Sequence, residues 1–198
     1  SVEDVLRSRT LSSPIKLLDA SPVSDGACAI ILANEDKAKR FSKHPVWIKG
    51  VGCCADAYHL GDRDLSESKS LEKAAKTAYQ MAGIQNPMKE IHVAELYDAF
   101  TYQELMWTEG LGFCNKGDGG KLLENGKTEM DGSIPINPSG GCLSAHAVIT
   151  AGLIRIAEAT LQIRGDAGKR QIPGAKTALA HGINGPCGQS HCVWIVGK

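Results

Sequence analysis

The sequence lacks the features that would place this chain on a nucleic acid, in a membrane or at a nucleotide phosphate. Its 22 Lys and Arg residues balance 22 Asp and Glu residues, so no excess of positive charge is available for a phosphate backbone. No apolar run is long enough to span a bilayer, and neither GxGxxG nor a P-loop occurs. We therefore expect neither nucleic acid nor a membrane as a partner.

The cysteines also lack any pairing pattern. There are 7 of them, an odd number, and no two form a CxxC motif. This usage favours free thiols in a reducing compartment, so we expect a cytoplasmic protein. Cys114 and Cys142 together with His146 have no zinc-like spacing, and we predict no metal site.

Apolar periodicity predicts strands and helices in alternation over most of the chain. From residue 46 onward, a β-branched strand, an amphipathic helix, a strand at 90–100 and a helix at 101–113 follow one another. A glycine-rich loop at 115–141 then precedes a long helix stopped by Gly165 and two short strands. This order predicts an α/β fold with a parallel or mixed sheet.

The first 45 residues do not complete a unit of their own. The stretch at 27–33 has the small apolar residues of a strand, and "EDKAKRF" after it has helical character, but no neighbouring segment offers that strand a partner. The chain also begins without a methionine. We expect the strand to pair with a later segment or another polypeptide, and the chain to be part of something longer.

Several short motifs occur together in a fixed order. They are "SDGACAIIL", "YDAF", "GFCNKGDGG", "NPSGG" and "RGDAGKRQ". In this combination the sequence resembles the C-terminal half of the thiolase superfamily, particularly archaeal acetoacetyl-CoA thiolases and lipid-transfer-protein (SCP2-like) thiolases.

The thiolase resemblance implies a fold of two similar halves. Each half is a mixed five-stranded sheet with helices on both faces, the layers stack as αβαβα, and the protein normally dimerises. On this pattern residues 1–45 are the end of the loop region and the last strand of the N-terminal half, and residues 46–198 are the C-terminal thiolase domain. The cysteine that becomes acylated lies in the half that this chain does not contain.

His146 is the first candidate catalytic residue. It is similar to the histidine of the family's GHP motif, although Ala145 and Ala147 replace the glycine and proline around it. An imidazole can take a thiol proton near neutral pH and can donate a hydrogen bond to a developing oxyanion. A capping or core-edge histidine is the structural alternative.

Tyr97 is the second candidate, because it stands where the family has an asparagine or a histidine. Its phenol can replace a bound water at the thioester oxygen or donate a proton. A buried tyrosine with its hydroxyl on a backbone carbonyl is the alternative. We expect the adjacent Asp98 to cap the helix that begins near Thr101.

The sequence departs most from the family at the position of the base that removes the α-proton. Gly182 stands where degradative thiolases have a second cysteine, and Ala99 where the lipid-transfer branch can place one. Cys187, Cys192, His181 and Tyr97 remain as candidates, and Cys187 in its Gly-Pro-Cys-Gly turn is preferred. The resemblance assigns the backbone N–H of Asn184 to the oxyanion hole.

Other positions match the family's contacts with CoA. Ser21 matches a serine that touches the pantetheine arm, and Ser139, Gly140 and Gly141 match a turn that approaches the ligand closely. Turn propensity alone explains these residues nearly as well. CoA is expected as a substrate, with no permanently bound cofactor.

Three functions follow from the resemblance. The preferred one is a thiolase that cleaves or forms a β-ketoacyl-CoA, active only with the N-terminal half that supplies its nucleophile. The alternatives are a retro-aldolase acting on a β-hydroxyacyl-CoA, which Tyr97 and the absent second cysteine favour, and a non-catalytic acyl-CoA-binding subunit. Expected partners are acyl-CoA, CoA, the N-terminal half in a homodimer or hetero-oligomer, and a small subunit with a zinc ribbon and an OB-fold.

Overall fold

Strands and helices alternate through most of the computed structural model, which describes all 198 residues. In chain order the elements are α1 (Val2–Arg7), β1 (Thr10–Ser12), β2 (Ile15–Lys16), α2 (Glu35–Phe41), β3 (Trp47–Ala55), α3 (Lys69–Ala82), α4 (Pro87–Glu90), β4 (Val93–Glu95), α5 (Thr101–Gly110), α6 (Gly119–Glu124), α7 (Gly141–Ser144), α8 (Ala151–Arg164), β5 (Thr177–Asn184) and β6 (Ser190–Gly197). The expected α/β class and the order of the main strands and helices after residue 46 are confirmed, whereas the short helices α4, α6 and α7 were not predicted, and α6 lies within the predicted loop at 115–141. None of the helices has the length and apolar character that a membrane crossing requires.

The main sheet is mixed and has the strand order β3-β6-β5-β4. β6 is antiparallel to both of its neighbours, whereas β4 runs parallel to β5. The expected fifth strand is reduced to a single parallel bridge between Ala94 and Ile136. Prolines at 135 and 138 flank this bridge and offer no N–H groups, so the ladder does not extend.

Helix α3 covers one face of the sheet at very short range. It begins after Ser68 and is capped by Gly83, whose φ of 74° favours glycine, as the sequence predicts. A Cβ atom on Gly52 would lie 1.9 Å from the carbonyl oxygen of Ala74, so the helix backbone packs directly on β3. A cluster of 16 buried apolar residues, among them Leu71 and Trp107, fills the space around α3, α5 and this face.

Helix α8 covers part of the opposite face. Ala159 and Ile163 pack there with Val93 and Ala178 of the sheet. The uncovered part leaves a cavity of about 420 Å³ beside β3, with Cys53, Cys192 and Trp194 among its lining residues. Part of the apolar side of α8 therefore packs in the core, and another part, including Gly152 and Ile156, lines the cavity.

Two expectations about local structure are wrong. Residues 27–33 form no strand, because a strand needs a hydrogen-bonded neighbour and no other segment of this chain supplies one. The long helix begins only at Ala151, since Ala145 is extended and the following residues form a turn. The assignment of residues 1–45 to the other thiolase half stays a prediction.

Candidate active site around His146 and Tyr97

His146 lies in the short connection between α7 and α8 and is held there by the N-terminal segment. Its backbone N–H donates to Ser24 Oγ at 3.3 Å, and its carbonyl accepts from the Ser24 N–H at 3.0 Å. Next to it, a Cβ on Gly26 would come within 2.8 Å of the Ala147 side chain, so glycine permits this close approach. Two distant parts of the chain therefore build the position of one imidazole.

Both ring nitrogens of His146 have side-chain partners. Ser21 Oγ is 2.9 Å from Nδ1, and the Tyr97 hydroxyl is 2.5 Å from Nε2. The Tyr97 ring meets the imidazole edge-on, with the ring centroids 5.2 Å apart. The structure thus joins three of the predicted site residues, Ser21, His146 and Tyr97, in one hydrogen-bonded chain.

Burial keeps the His146 and Tyr97 pair neutral. It lowers the pKa of the His146 imidazole, and the charge of Arg155 lowers that pKa further. Burial also raises the pKa of the Tyr97 phenol, and the nearby Cys142 adds to the rise. The phenol donates to Nε2 in one imidazole tautomer and accepts from it in the other, so this pair can relay a proton between Ser21 and a ligand.

The loop before α7 is fixed to the sheet by a buried ion pair. Arg155 of α8 lies 3.0 Å from Glu95 Oε2, and both side chains are at most 4% exposed. Ser139 donates its hydroxyl to Glu95 at 2.6 Å and accepts from Arg155 at 3.0 Å. Burial raises the pKa of Glu95 to about 7, although Arg155 opposes the shift. The Ser139 hydroxyl is therefore engaged inside the protein, and its predicted contact with CoA stays a prediction.

The glycine pair of this loop makes room for a carboxylate. Gly140 and Gly141 have φ values of 94° and 63°, and a Cβ on Gly141 would lie 2.3 Å from Asp98 Oδ2. Asp98 Oδ1 accepts a hydrogen bond from the Cys142 N–H at 2.5 Å. The expected capping of α5 by Asp98 is therefore wrong: Phe100 occupies the cap, and Asp98 anchors the loop before His146.

Two predicted site residues, Asn184 and Cys187, form no hydrogen bond with His146. Asn184 ends β5, where its side-chain oxygen accepts from the Gly185 N–H at 2.8 Å. Cys187 is exposed in the turn between β5 and β6, with an unusual φ of 50°. Neither residue hydrogen-bonds to His146 or Tyr97, and their roles in catalysis stay predictions. No group of three or more His, Cys, Asp or Glu side chains is placed to hold a metal ion.

Sequence reasoning missed the residues that support this site. Ser24 is the first residue of the motif "SDGACAIIL", and nothing in that motif marks its hydroxyl as a partner of His146. Glu95 and Arg155 each carry a signal, because each is a charged residue with an apolar residue on either side, within a strand or a helix. Such charges are buried only when they are paired, so their pairing was open to prediction.

Comparison with known proteins identifies the family to which this chain belongs. Residues 52–198 match the family model described as "Thiolase C-terminal domain-like". The chain belongs to this thiolase family, and the resemblance seen in its motifs is confirmed.

Individual relatives are consistent with the family. An "Acetyl-CoA acetyltransferase" of Methanothermobacter thermautotrophicus is 38% identical over 190 residues, which are 95% of this chain and 49% of that protein. "Sterol carrier protein 2" of Oryctolagus cuniculus is 37% identical over 92% of this chain and 34% of its own length. A solved structure described as "Ltp2-ChsH2(DUF35) aldolase" matches all of this chain and 51% of its own with a TM-score of 0.88 and 28% identity. The chain thus spans between about a third and about half of the length of these relatives.

Proposed function

We propose that this chain supplies the His146-bearing half of an enzyme site that breaks a carbon–carbon bond of a CoA thioester, by retro-aldol cleavage of a β-hydroxyacyl-CoA. The observation that carries this proposal is the hydrogen bond between the Tyr97 hydroxyl and His146 Nε2. In a thiolase, that nitrogen would face the acylated cysteine and the thioester oxygen. In this chain the Tyr97 hydroxyl is the hydrogen-bond partner of that nitrogen.

The Tyr97 and His146 pair is suited to remove a proton from an alcohol. Tyr97 accepts the proton of the β-hydroxyl group while its own proton passes to His146 Nε2, which is neutral because burial lowers its pKa. The Cα–Cβ bond then breaks, its electron pair forms the thioester enolate, and the β-carbon leaves as an aldehyde or ketone. The proton held on His146 returns to the enolate carbon, so the cycle needs no acyl-enzyme.

Exposed apolar residues around the site support the need for a second polypeptide half. Val23 is 85% exposed and adjoins Ser24, which hydrogen-bonds to His146, and Ile149, three residues after His146, is 98% exposed. Exposed apolar patches of this kind mark surfaces that meet another chain or domain. We propose that the N-terminal thiolase half covers this surface and that the 198-residue chain alone cleaves no thioester.

A second function is supported by the relatives. Cleavage of a β-ketoacyl-CoA with free CoA is favoured by the 38% identity to a protein described as an acetyl-CoA acetyltransferase. In that reaction the N-terminal half supplies the nucleophilic cysteine. His146 then donates Nε2–H to Tyr97, and the phenol donates to the thioester oxygen.

A further subunit belongs to the same proposal. The solved structure that matches the whole chain is described as an Ltp2-ChsH2(DUF35) aldolase, a name that joins two components. We propose that this chain also works beside a small partner subunit, of the zinc-ribbon and OB-fold kind that the thiolase resemblance implies.

The test is the rate of the assembled enzyme on two substrates, before and after Tyr97→Phe. The wild type should cleave a β-hydroxyacyl-CoA without CoA, and Tyr97→Phe should lower this rate by about two to four orders of magnitude because the proton acceptor is gone. As a control, Tyr58→Phe removes a hydroxyl from a tyrosine that is 78% exposed and should change nothing.

The same measurement separates the candidates. If the wild type cleaves only the β-ketoacyl-CoA with CoA, and Tyr97→Phe costs about one to two orders of magnitude there, the thiolase function is correct and the aldolase proposal is wrong. Cleavage of neither substrate would leave the chain as a non-catalytic acyl-CoA-binding subunit.

A further inference from the structure

The backbone of Tyr97 is held by side chains and not by the sheet. β4 ends at Glu95, two residues earlier. The Tyr97 N–H donates to His181 Nδ1 at 3.5 Å, and its carbonyl accepts from Trp107 Nε1 at 2.8 Å. Buried backbone groups need partners, and at this position the partners are an imidazole and an indole.

His181 is part of a buried pair of imidazoles. It lies in β5 with no exposed surface, and its ring is nearly parallel to that of His191 in β6, with the planes 13° apart and the ring centroids 5.2 Å apart. His181 Nε2 is 2.9 Å from His191 Nδ1. The Trp107 ring packs edge-on against both imidazoles, at 5.7 Å and 4.9 Å between centroids.

The direction of these hydrogen bonds follows from the backbone. A peptide N–H can only donate, so His181 Nδ1 must accept from Tyr97 and carry no proton. The His181 proton is then on Nε2 and is donated to His191 Nδ1. It follows that the His191 proton is on its own Nε2.

The far end of the pair reaches the turn that carries Cys187. The His191 ring lies against Gly188, where a Cβ would come within 3.2 Å of His191 Nε2. The guanidinium of Arg63 donates to the Pro186 carbonyl at 2.7 Å on the other side of this turn. A non-glycine residue with a φ of 50°, as Cys187 has, persists only where its surroundings hold it.

We propose that His181 and His191 are positioning residues that act as one neutral, hydrogen-bonded pair, holding the backbone of Tyr97 at one end and the turn of residues 185–189 at the other. The placement of the Tyr97 hydroxyl on His146 then depends on two histidines that touch no substrate. The kinetic consequence rests on the proposed function of Tyr97, whereas the protonation pattern of the pair does not.

The surroundings keep both imidazoles uncharged. Burial lowers the pKa of His181 well below its ordinary value, and the neighbouring His191 lowers it further. Burial also lowers the pKa of His191 to about 4, although the Gly188 backbone opposes the shift. Arg63 is the charged side chain that acts on the pair, and its positive charge disfavours a second one.

The protonation pattern is tested by nitrogen NMR of histidine-labelled enzyme, in the assembled protein at neutral pH. Both rings should be neutral with the proton on Nε2, and the assignment comes from single His181→Asn and His191→Asn variants. A proton on Nδ1 of His181, or a charged ring in either residue, would overturn the proposal. This measurement needs no substrate, so it stands even if the proposed reaction is wrong.

The positioning role is tested by kinetics of two His181 variants. His181→Leu removes the acceptor for the Tyr97 N–H and should lower kcat by about ten- to a hundredfold, since a small misplacement of a catalytic group has that effect, with KM changed less than about twofold. His181→Asn keeps an oxygen near the place of Nδ1 and should recover kcat to within about threefold of wild type. Equal losses in both variants would show that the ring only fills space and would overturn the proposal.

A matched control uses another histidine of the same domain. His92 is partly buried just before β4, and its Nδ1 has no hydrogen-bond partner. His92→Leu should leave kcat and the labelled His181 and His191 signals unchanged. If His181→Leu behaves like this control while remaining folded, Tyr97 is held without the pair and the proposal is wrong.

Discussion

The first 45 residues and the rest of the chain contribute in different ways to the same site. None of the first 45 residues is buried, and α1 and α2 have no buried side chain. From β3 onward, by contrast, a core of 16 apolar residues is closed on one face of the sheet. Even so, Ser21 and Ser24 of the poorly packed segment hold the ring and the backbone of His146.

This difference separates what stabilises the fold from what builds the site. Apolar burial dominates folding, so residues 46–198 contain most of the stabilising contacts. The N-terminal segment adds polar contacts at His146 and leaves Ile31 at 94% and Phe41 at 83% exposure. Substitutions in residues 46–198 should therefore lower stability, whereas substitutions in the N-terminal segment should lower activity.

The largest effect is expected at the buried ion pair of the packed domain. Arg155→Met should reduce the free energy of unfolding by about 3 to 5 kcal/mol, because it leaves Glu95 buried without its partner. Arg164→Met is the control, since its ion pair with Asp166 is about half exposed and should be worth less than about 0.5 kcal/mol. Urea unfolding of the chain compares the two, and equal losses would contradict the assigned role of Arg155.

A comparable effect is expected where α3 meets β3. Gly52→Ala should cost about 3 kcal/mol, since its Cβ would lie 1.9 Å from a backbone oxygen that cannot move away. Gly83→Ala has open space around it and should cost only about 1 kcal/mol, from its φ of 74°. A thermal scan that finds Gly83→Ala the worse of the two would show that this helix contact is looser than described.

The His191 ring should make stability depend on pH. Its pKa is about 4 in the folded protein against 6.5 ordinarily, so the unfolded chain takes up a proton first and stability is lost as the pH falls from 6.5 towards 4. Glu95, with its pKa raised to about 7, acts in the opposite sense over part of this range. The difference between wild type and His191→Asn isolates the His191 contribution, which should fall by about 3 kcal/mol from pH 7 to pH 4. A difference that does not change with pH would mean that His191 is not held neutral.

The smallest stability effect is expected in the N-terminal segment. Ser21→Ala removes one hydrogen bond to the His146 ring and should lower kcat by about tenfold, with a change in unfolding free energy below about 0.5 kcal/mol. Ser13→Ala in the exposed β1–β2 turn is the matched control for both measurements. A stability loss from Ser21→Ala as large as that of Arg155→Met would remove the distinction between the two regions.

Local patterns predicted most of the fold but only part of the site. Apolar periodicity and helix-ending glycines predict the end of α3, the long helix before Gly165 and the two final strands. Periodicity did not predict that prolines shorten the fifth strand, or that residues 27–33 lack a neighbouring strand to pair with. His146 and Tyr97 were found because a family motif marks them.

Local sequence patterns did not predict the contacts between segments that are distant in the chain. Ser21 and His146 are 125 residues apart in sequence, and Asp98 and Cys142 are 44 apart. Asp98 stands three residues before a helix and has the sequence of a cap, yet its carboxylate finds the Cys142 N–H in the folded chain. Local propensity gave way there to a tertiary hydrogen bond.

The central claim is that Tyr97 and His146 act as one hydrogen-bonded unit, and a double-mutant cycle on kcat/KM tests it most directly. In the assembled enzyme with a β-hydroxyacyl-CoA, Tyr97→Phe and His146→Ala should each cost about two to four orders of magnitude. The double variant should lose little more than the worse single variant, which corresponds to a coupling energy of about 2 kcal/mol or more. Losses that simply add in free energy would show that the two side chains work independently, and would contradict the proton relay between them.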